Sequence, residues 1–197
     1  MDRTAARPLV IVAAFATSLL VGLLVVLWAM GGVRGVTAPA AIGGPFQLTD
    51  QSGATVTEKN LQGKASIIFF GFTHCPDVCP TSLFEISEIL RAMGQDSSKV
   101  NAWFISVDPE RDNAAAMKDY LSSFDPHLKG LTGDPAAVQK VITAYRVYAK
   151  KVPLKDGDYT MDHTALIYLM DRDGRFVSPF NVNRKPDEAA ADLKRYL

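Results

Sequence analysis

Cysteine and histidine are scarce in this chain, which has 2 and 3 of them among 197 residues. Two cysteines are too few for a scaffold held by several disulfides or for a metal centre with four thiolate ligands. Neither sign of charge is in excess, since 21 basic side chains balance 21 acidic ones, and this balance gives no support for nucleic-acid binding. The sequence, 48% hydrophobic, instead supports one ordinary domain with a substantial core.

One uncharged run lies near the N-terminus. Residues 9–30 contain no charged side chain, and a helix of that length, about 33 Å, can cross a hydrocarbon core of about 30 Å. Arg3 and Arg7 precede the run and only Arg34 follows it closely, so the positive-inside bias places residues 1–8 in the cytoplasm. The run therefore predicts a single transmembrane helix over 9–30.

The expected compartment follows from this anchor. The chain is predicted to be a single-pass protein of a bacterial inner membrane, with a linker over 31–42 and one domain over 43–197 in the periplasm. A cleavable signal peptide is the alternative, with Ala38-Pro39-Ala40 as a loose match to a cleavage site, although its apolar region would be unusually long. In that oxidising space a cysteine pair can cycle between dithiol and disulfide.

The order of elements in the domain predicts an α/β fold, a thioredoxin-like three-layer sandwich. Apolar runs of strand length alternate with segments of helical period, and a hairpin and a helix follow at the end. The expected strands are 65–72, 100–107 and a short one at 128–132, the expected hairpins surround turns at 50–53 and 171–174, and the expected helices are 80–93, 113–124, 135–151 and 186–197.

Both cysteines fall in the stretch Phe72-Thr73-His74-Cys75-Pro76-Asp77-Val78-Cys79-Pro80, where a buried strand is predicted to end and a helix to begin. Because backbone N–H groups at a helix N-terminus stabilise a thiolate, we predict a lowered pKa for Cys79 and extend this expectation to Cys75. Three residues separate the cysteines, whereas ordinary thiol–disulfide oxidoreductases have two. The pair can close a disulfide, or it can bind one soft ion such as Cu(I) or Zn(II).

A metal site would need a further ligand, and the three histidines are the candidates. His163 immediately precedes a predicted buried strand, in the loop that faces the cysteines in a thioredoxin-like fold, so we predict it as the third ligand. His74 adjoins Cys75, but strand alternation directs it away. His127 follows Asp125-Pro126 and is predicted to be a solvated loop residue.

Three motifs together resemble those of a known family. Gly71 to Pro80, Ser106 to Asp112 (Ser-Val-Asp-Pro-Glu-Arg-Asp) and Asp162-His163-Thr164 are similar, in this order and spacing, to the signatures of the Sco (SenC) copper proteins. The resemblance covers about Gly43 to Leu197 and extends to the single N-terminal anchor.

The resemblance implies a metallochaperone that delivers copper to the dinuclear CuA centre of cytochrome c oxidase during assembly. It implies Cys75, Cys79 and His163 as ligands of Cu(I) or Cu(II), and Asp108 as an acidic residue near the metal. The implied partners are the CuA-bearing subunit II, a periplasmic copper donor and a thiol reductant. Cys75 and Cys79 are also expected to form a disulfide when oxidised.

Two other functions stay open at this point. A membrane-tethered thiol–disulfide oxidoreductase would use Cys75 and Cys79 as its catalytic redox pair to reduce the target cysteines, and would not require His163. A peroxidase is the weaker alternative, because Thr73-His74-Cys75 is one residue short of the peroxiredoxin spacing. A metallochaperone need not turn over a substrate, so the sequence does not by itself identify an enzyme.

Overall fold

The computed structural model describes residues 6–31, 41–155 and 157–197, and in the first of these ranges it places the side chains of 12–26 and 28. The chain divides into two compact units, Met1–Ala40 and Ala41–Leu197.

The described part of the first unit is one helix, α1 (Ala6–Gly31), which contains the uncharged run. Among the described residues, no helix combines the length and the apolar character needed to cross a membrane. The predicted tail (1–8) and linker (31–42) lie largely outside the described residues, and their boundaries stay predictions.

The second unit is built on a seven-stranded mixed sheet and a separate two-stranded hairpin. The strands are β1 (Gln47–Asp50), β2 (Thr55–Thr57), β3 (Ala65–Gly71), β4 (Val100–Ser106), β5 (Leu128–Thr132), β6 (Ala149–Pro153), β7 (Tyr159–His163), β8 (Ile167–Met170) and β9 (Phe176–Pro179). The sheet has the order β2-β1-β5-β4-β3-β8-β9, and β6 pairs with β7. The adjacent strands β3, β4 and β5 run parallel, and the other neighbours pair antiparallel.

Helices cover both faces of this sheet. They are α2 (Val78–Met93), α3 (Ala114–Leu121), α4 (Pro135–Ala144) and α5 (Pro186–Lys194). Successive side chains of β3 point to opposite faces, so Ile67 and Phe69 pack with side chains of α2, α3 and α5, whereas Ile68 and Phe70 pack with those of α4. The predicted α/β three-layer sandwich is confirmed.

The predicted helix 135–151 is wrong in its second half. Helix α4 ends at Ala144, because Arg146 adopts a left-handed backbone conformation with φ of 55°. The N–H of Val147 then donates to the carbonyl of Ile142 (2.9 Å), and that of Arg146 to the carbonyl of Thr143 (3.1 Å). This is the Schellman pattern of a helix C-terminus, which glycine usually signals in a sequence, and here no glycine is present to signal it.

The hairpin β6–β7 therefore occupies residues that the sequence analysis assigned to a helix and a loop. Its register pairs Ala149 with His163 and Pro153 with Tyr159. The Asp-Gly pair at 156–157 is a typical turn sequence for such a hairpin and is the signal that could have predicted it. The hairpin matters for the candidate site because it places His163 at the end of a strand rather than in a loop.

Candidate metal centre

The junction between β3 and α2 places both cysteines. Strand β3 ends at Gly71, and α2 begins at Val78 with Asp77 as its N-cap residue. The predicted start at Pro80 was two residues late, so Cys79 lies in the first helical turn rather than at the cap. A Cβ on Gly71 would lie 2.7 Å from Cys79 Sγ, and glycine therefore allows the thiol to pack directly against the strand end.

The two thiols differ in their access to solvent. Cys79 is fully buried, Cys75 is half-buried, and both are free cysteines. The backbone N–H of Cys79 donates to Cys75 Sγ at 3.4 Å, which holds the Cys75 sulfur over the first turn of the helix. A partner molecule would consequently reach Cys75 before Cys79.

His163 approaches the thiols from the hairpin. Its Nε2 lies 3.8 Å from Cys79 Sγ, while its Nδ1 lies 3.0 Å from the carbonyl oxygen of Thr164. A proton on Nδ1 would donate to that carbonyl, which leaves the Nε2 lone pair directed at the sulfurs. The ring of Phe72 meets the imidazole edge to face, with 5.7 Å between ring centroids, and restricts its orientation.

The ligand atoms of Cys75, Cys79 and His163 all lie within 4.8 Å of one another. The structure thus brings together the three residues that the sequence analysis selected. Two thiols and an imidazole form a soft donor set, which favours Cu(I) and Zn(II) over hard cations such as Mg²⁺. The set is chemically suited to copper.

The predicted lowering of the Cys79 pKa is wrong for the metal-free protein. Burial raises the pKa of the Cys79 thiol well above its ordinary value, because a thiolate there would lose most of its hydration. The negative charges of Cys75 and Asp112 would raise this pKa further. Desolvation therefore outweighs the helix N-terminus, and Cys79 is a protonated thiol at neutral pH.

The other two histidines lie apart from this cluster, as predicted. His74 is exposed and its Nδ1 lies 3.0 Å from Thr73 Oγ1. His127 is also exposed, and its Nδ1 lies 2.8 Å from Asp125 Oδ1. Neither has a ligand atom in the cluster with Cys75 and Cys79.

Asp108 is buried next to the hairpin. Its Oδ2 accepts a hydrogen bond from Arg111 Nε (2.6 Å), and its Oδ1 accepts one from the Tyr159 hydroxyl (2.9 Å). Both oxygens are thereby engaged by side chains outside the three-residue cluster. A role for Asp108 near the metal stays a prediction.

Sequence reasoning missed two buried groups near the thiols. Asp112 is fully buried, and burial raises the pKa of its carboxyl group. The Tyr120 hydroxyl has no hydrogen-bond partner among the described residues, and its pKa is raised by burial and by the charges of Cys79 and Cys75. The one sequence signal was the place of Asp112 at the end of the motif Ser106 to Asp112; nothing distinguished Tyr120.

Comparison with known proteins identifies relatives of this chain. The SCO1/SenC family model matches residues 34–197. The mitochondrial SCO1 homolog 1 of Arabidopsis thaliana is 45% identical over 149 residues, which are 75% of this chain and 45% of that protein. The human mitochondrial SCO1 homolog is 40% identical over 159 residues, 79% of this chain and 53% of that protein. The chain thus spans about half the length of these two relatives.

Solved structures of Sco proteins are also similar to this chain. Copper-bound ScoI of Bradyrhizobium japonicum is 81% identical, with a TM-score of 0.78, and the match covers 80% of this chain and all (100%) of that one. Copper-bound yeast Sco1 is 40% identical, with a TM-score of 0.72, and the match covers 79% of this chain and 88% of that one. With the family model matching most of its length, the chain belongs to the SCO1/SenC family.

Proposed function

We propose that this protein is a copper metallochaperone that binds copper through Cys75, Cys79 and His163. The observation that carries the proposal is the convergence of two thiols and an imidazole within 4.8 Å. Similar proteins of Bradyrhizobium japonicum and yeast, solved with copper bound, support copper as the cargo. Both sulfurs are soft ligands suited to Cu(I), and an added oxygen or nitrogen ligand would suit Cu(II).

Delivery to the CuA centre on subunit II of cytochrome c oxidase is the second part of the proposal. It is supported by the resemblance of the three motifs to the Sco proteins and by the unequal burial of the two thiols. An acceptor thiolate can replace the half-buried Cys75 first, and the ion then leaves Cys79 and His163 in turn. Such stepwise ligand exchange keeps copper bound at each stage.

Removing the imidazole tests the ligand set. We expect His163→Ala to lower the Cu(I) affinity of the reduced full-length chain at least about tenfold, since even loss of an outer-shell partner costs roughly 10- to 100-fold in metal affinity. The measurement is a titration of the chain in detergent with Cu(I) against a competing chelator. His127→Ala is the matched control, because that imidazole also bonds a neighbouring acceptor but lies outside the cluster.

Equal affinities for wild type and His163→Ala would contradict the three-ligand site and would favour the reductase function. The unequal burial of the thiols is the observation that supports this second candidate. The Cys75 thiolate would attack a target disulfide to form a mixed disulfide. Cys79, after losing its proton, would then attack Cys75 Sγ, which releases the target as a dithiol and leaves the Cys75–Cys79 disulfide.

We also propose that residues 9–30 anchor the protein in a bacterial inner membrane, with the second unit in the periplasm. The support is the absence of charge over 22 residues of the sequence and the arginines before them. We expect the full chain to stay in the membrane fraction after an alkaline carbonate wash, and its second unit to be digested by protease added to spheroplasts. Release of the full chain by carbonate would argue against the anchor.

A further inference from the structure

The segment 106–112 begins at the last residue of β4 and contributes no ligand, yet its side chains contact both parts of the metal centre. One part is the loop 72–77 before α2, here called the cysteine loop. The other is the hairpin β6–β7, which ends at His163. The two parts are remote in sequence, so some element must set the distance between them.

Asp112 bonds the cysteine loop. Its buried carboxylate accepts hydrogen bonds from the Thr73 hydroxyl (2.6 Å), from the Thr73 backbone N–H (3.2 Å to Oδ2) and from the Ser106 hydroxyl (2.6 Å). The Thr132 hydroxyl donates to the Asp112 carbonyl oxygen, which secures the residue against β5. Thr73 lies two residues before Cys75, so these bonds restrain the backbone from which that thiol projects.

Arg111 and Asp108 bond the hairpin. Arg111 Nη1 donates to the carbonyl oxygen of Tyr159 (3.0 Å), and its guanidinium lies 3.7 Å from the centroid of the Tyr159 ring. Asp108 accepts from both Arg111 and the Tyr159 hydroxyl, and Lys151 places a second cation 3.8 Å from the ring centroid. Tyr159 and His163 are the two ends of β7, and a short strand transmits a displacement of one end to the other.

Arg111 also connects the two parts directly. Its guanidinium carbon lies 5.8 Å from the centroid of the Phe72 ring, and Phe72 in turn packs edge to face against His163. The segment therefore contacts the cysteine loop at Thr73 and Phe72 and the hairpin at Tyr159.

We propose that residues 106–112 form a brace that sets the separation between the thiol pair and the imidazole, with Asp112 positioning the cysteine loop and Arg111 positioning His163. The inference rests on the proposed copper site. Neither residue contacts the metal; each acts through the ligand that it holds. Binding sites of this kind lose affinity when their supporting side chains let a ligand move by about 0.5 Å.

A double-mutant cycle separates positioning from general stabilisation. In the reduced full-length chain in detergent, we expect Arg111→Met to lower the Cu(I) affinity about tenfold when His163 is present, and by less than about twofold in a His163→Ala background. With no imidazole left to position, Arg111 has little further effect on the ion. If Arg111 only stabilised the fold, Arg111→Met would reduce both affinities equally.

The cysteine side of the brace should give the opposite pattern. We expect Asp112→Asn to lower the Cu(I) affinity about tenfold in the wild-type and His163→Ala backgrounds, because both thiols remain ligands in each, and by less than about twofold in a Cys75→Ser background, where the thiol that it positions is gone. Thr73→Val removes one of the bonds to Asp112 without altering the buried carboxylate, and it serves as the test if Asp112→Asn fails to fold.

Arg184→Met and Asp125→Asn are the matched controls, since Arg184 also combines an ion pair with a ring contact and Asp125 is also buried. Both should bind Cu(I) as wild type does. Equal losses from Arg111→Met in the two backgrounds, or unchanged affinity in folded Thr73→Val, would overturn the brace while leaving the copper site intact. Absence of Cu(I) binding by the wild type would overturn both.

Discussion

Replacing Cys75 and Cys79 together by serine should abolish one-to-one Cu(I) binding. The two sulfurs are the soft ligands of the cluster, and serine offers only a protonated hydroxyl oxygen in their place. A lone imidazole at His163 cannot hold Cu(I) against a thiolate-containing competitor. We expect the competition titration to show no copper retained by the variant under conditions that load the wild type fully.

Folding of this variant has to be measured alongside binding. Cys79 is fully buried, and an unpaired hydroxyl in its place costs about 1–3 kcal/mol of unfolding free energy. The double alanine variant removes the same sulfurs without burying a hydroxyl and is the control. If either variant, shown to be folded by circular dichroism, keeps wild-type affinity, the thiols are not the copper ligands.

The Cu(I) affinity of the reduced protein should rise by at least about tenfold for each pH unit between roughly pH 6 and pH 8, or at least about 100-fold over that range. The direction follows from the raised pKa of the Cys79 thiol. Copper binds the thiolate, so in this range binding displaces at least one proton, and a lower proton concentration favours the bound state. Competition titrations at several pH values, corrected for the chelator's own protonation, measure the slope.

A flat profile would contradict this expectation, because it would mean that both thiols are already ionised in the free protein. That result would restore the lowered pKa predicted from the helix N-terminus. Ultraviolet absorption of thiolate in the metal-free protein gives an independent reading. We expect no thiolate signal from Cys79 at pH 8, and Cys79→Ala provides the comparison for the signal from Cys75.

Loss of Cu(I) binding without the thiols, together with proton release on binding, would also show how copper loading is linked to the redox state of this protein. Closing the Cys75–Cys79 disulfide would remove both sulfur ligands, so an oxidised chain should not hold Cu(I), and a loaded chain should resist oxidation. A chain that has been oxidised would need a reductant to restore the dithiol before it could be loaded with Cu(I) again. Chaperone and reductase activities would accordingly draw on the same pair of sulfurs.

The sequence by itself determined the type of site and the frame that contains it. The runs at 65–72 and 100–107 are apolar, of strand length and rich in β-forming residues, and the central strands that they predicted are β3 and β4. Because the first run has the length of one strand, the sequence also placed Cys75 and Cys79 at the junction between that strand and the next helix. Among the three histidines, His163 was predicted as the ligand because it precedes a strand whose entry faces the cysteines in a thioredoxin-like fold.

The tertiary structure alone decided how those residues are presented. The end of α4 depends on a left-handed Arg146, whose cost is met by burial of Tyr145 and Val147 in the core, and propensity cannot predict such a compensation. The pKa of Cys79 depends on how much water its neighbours exclude, which is a property of the packed interior. The link from Asp112 to Thr73 joins residues 39 positions apart, and such a contact exists only once the sheet has formed.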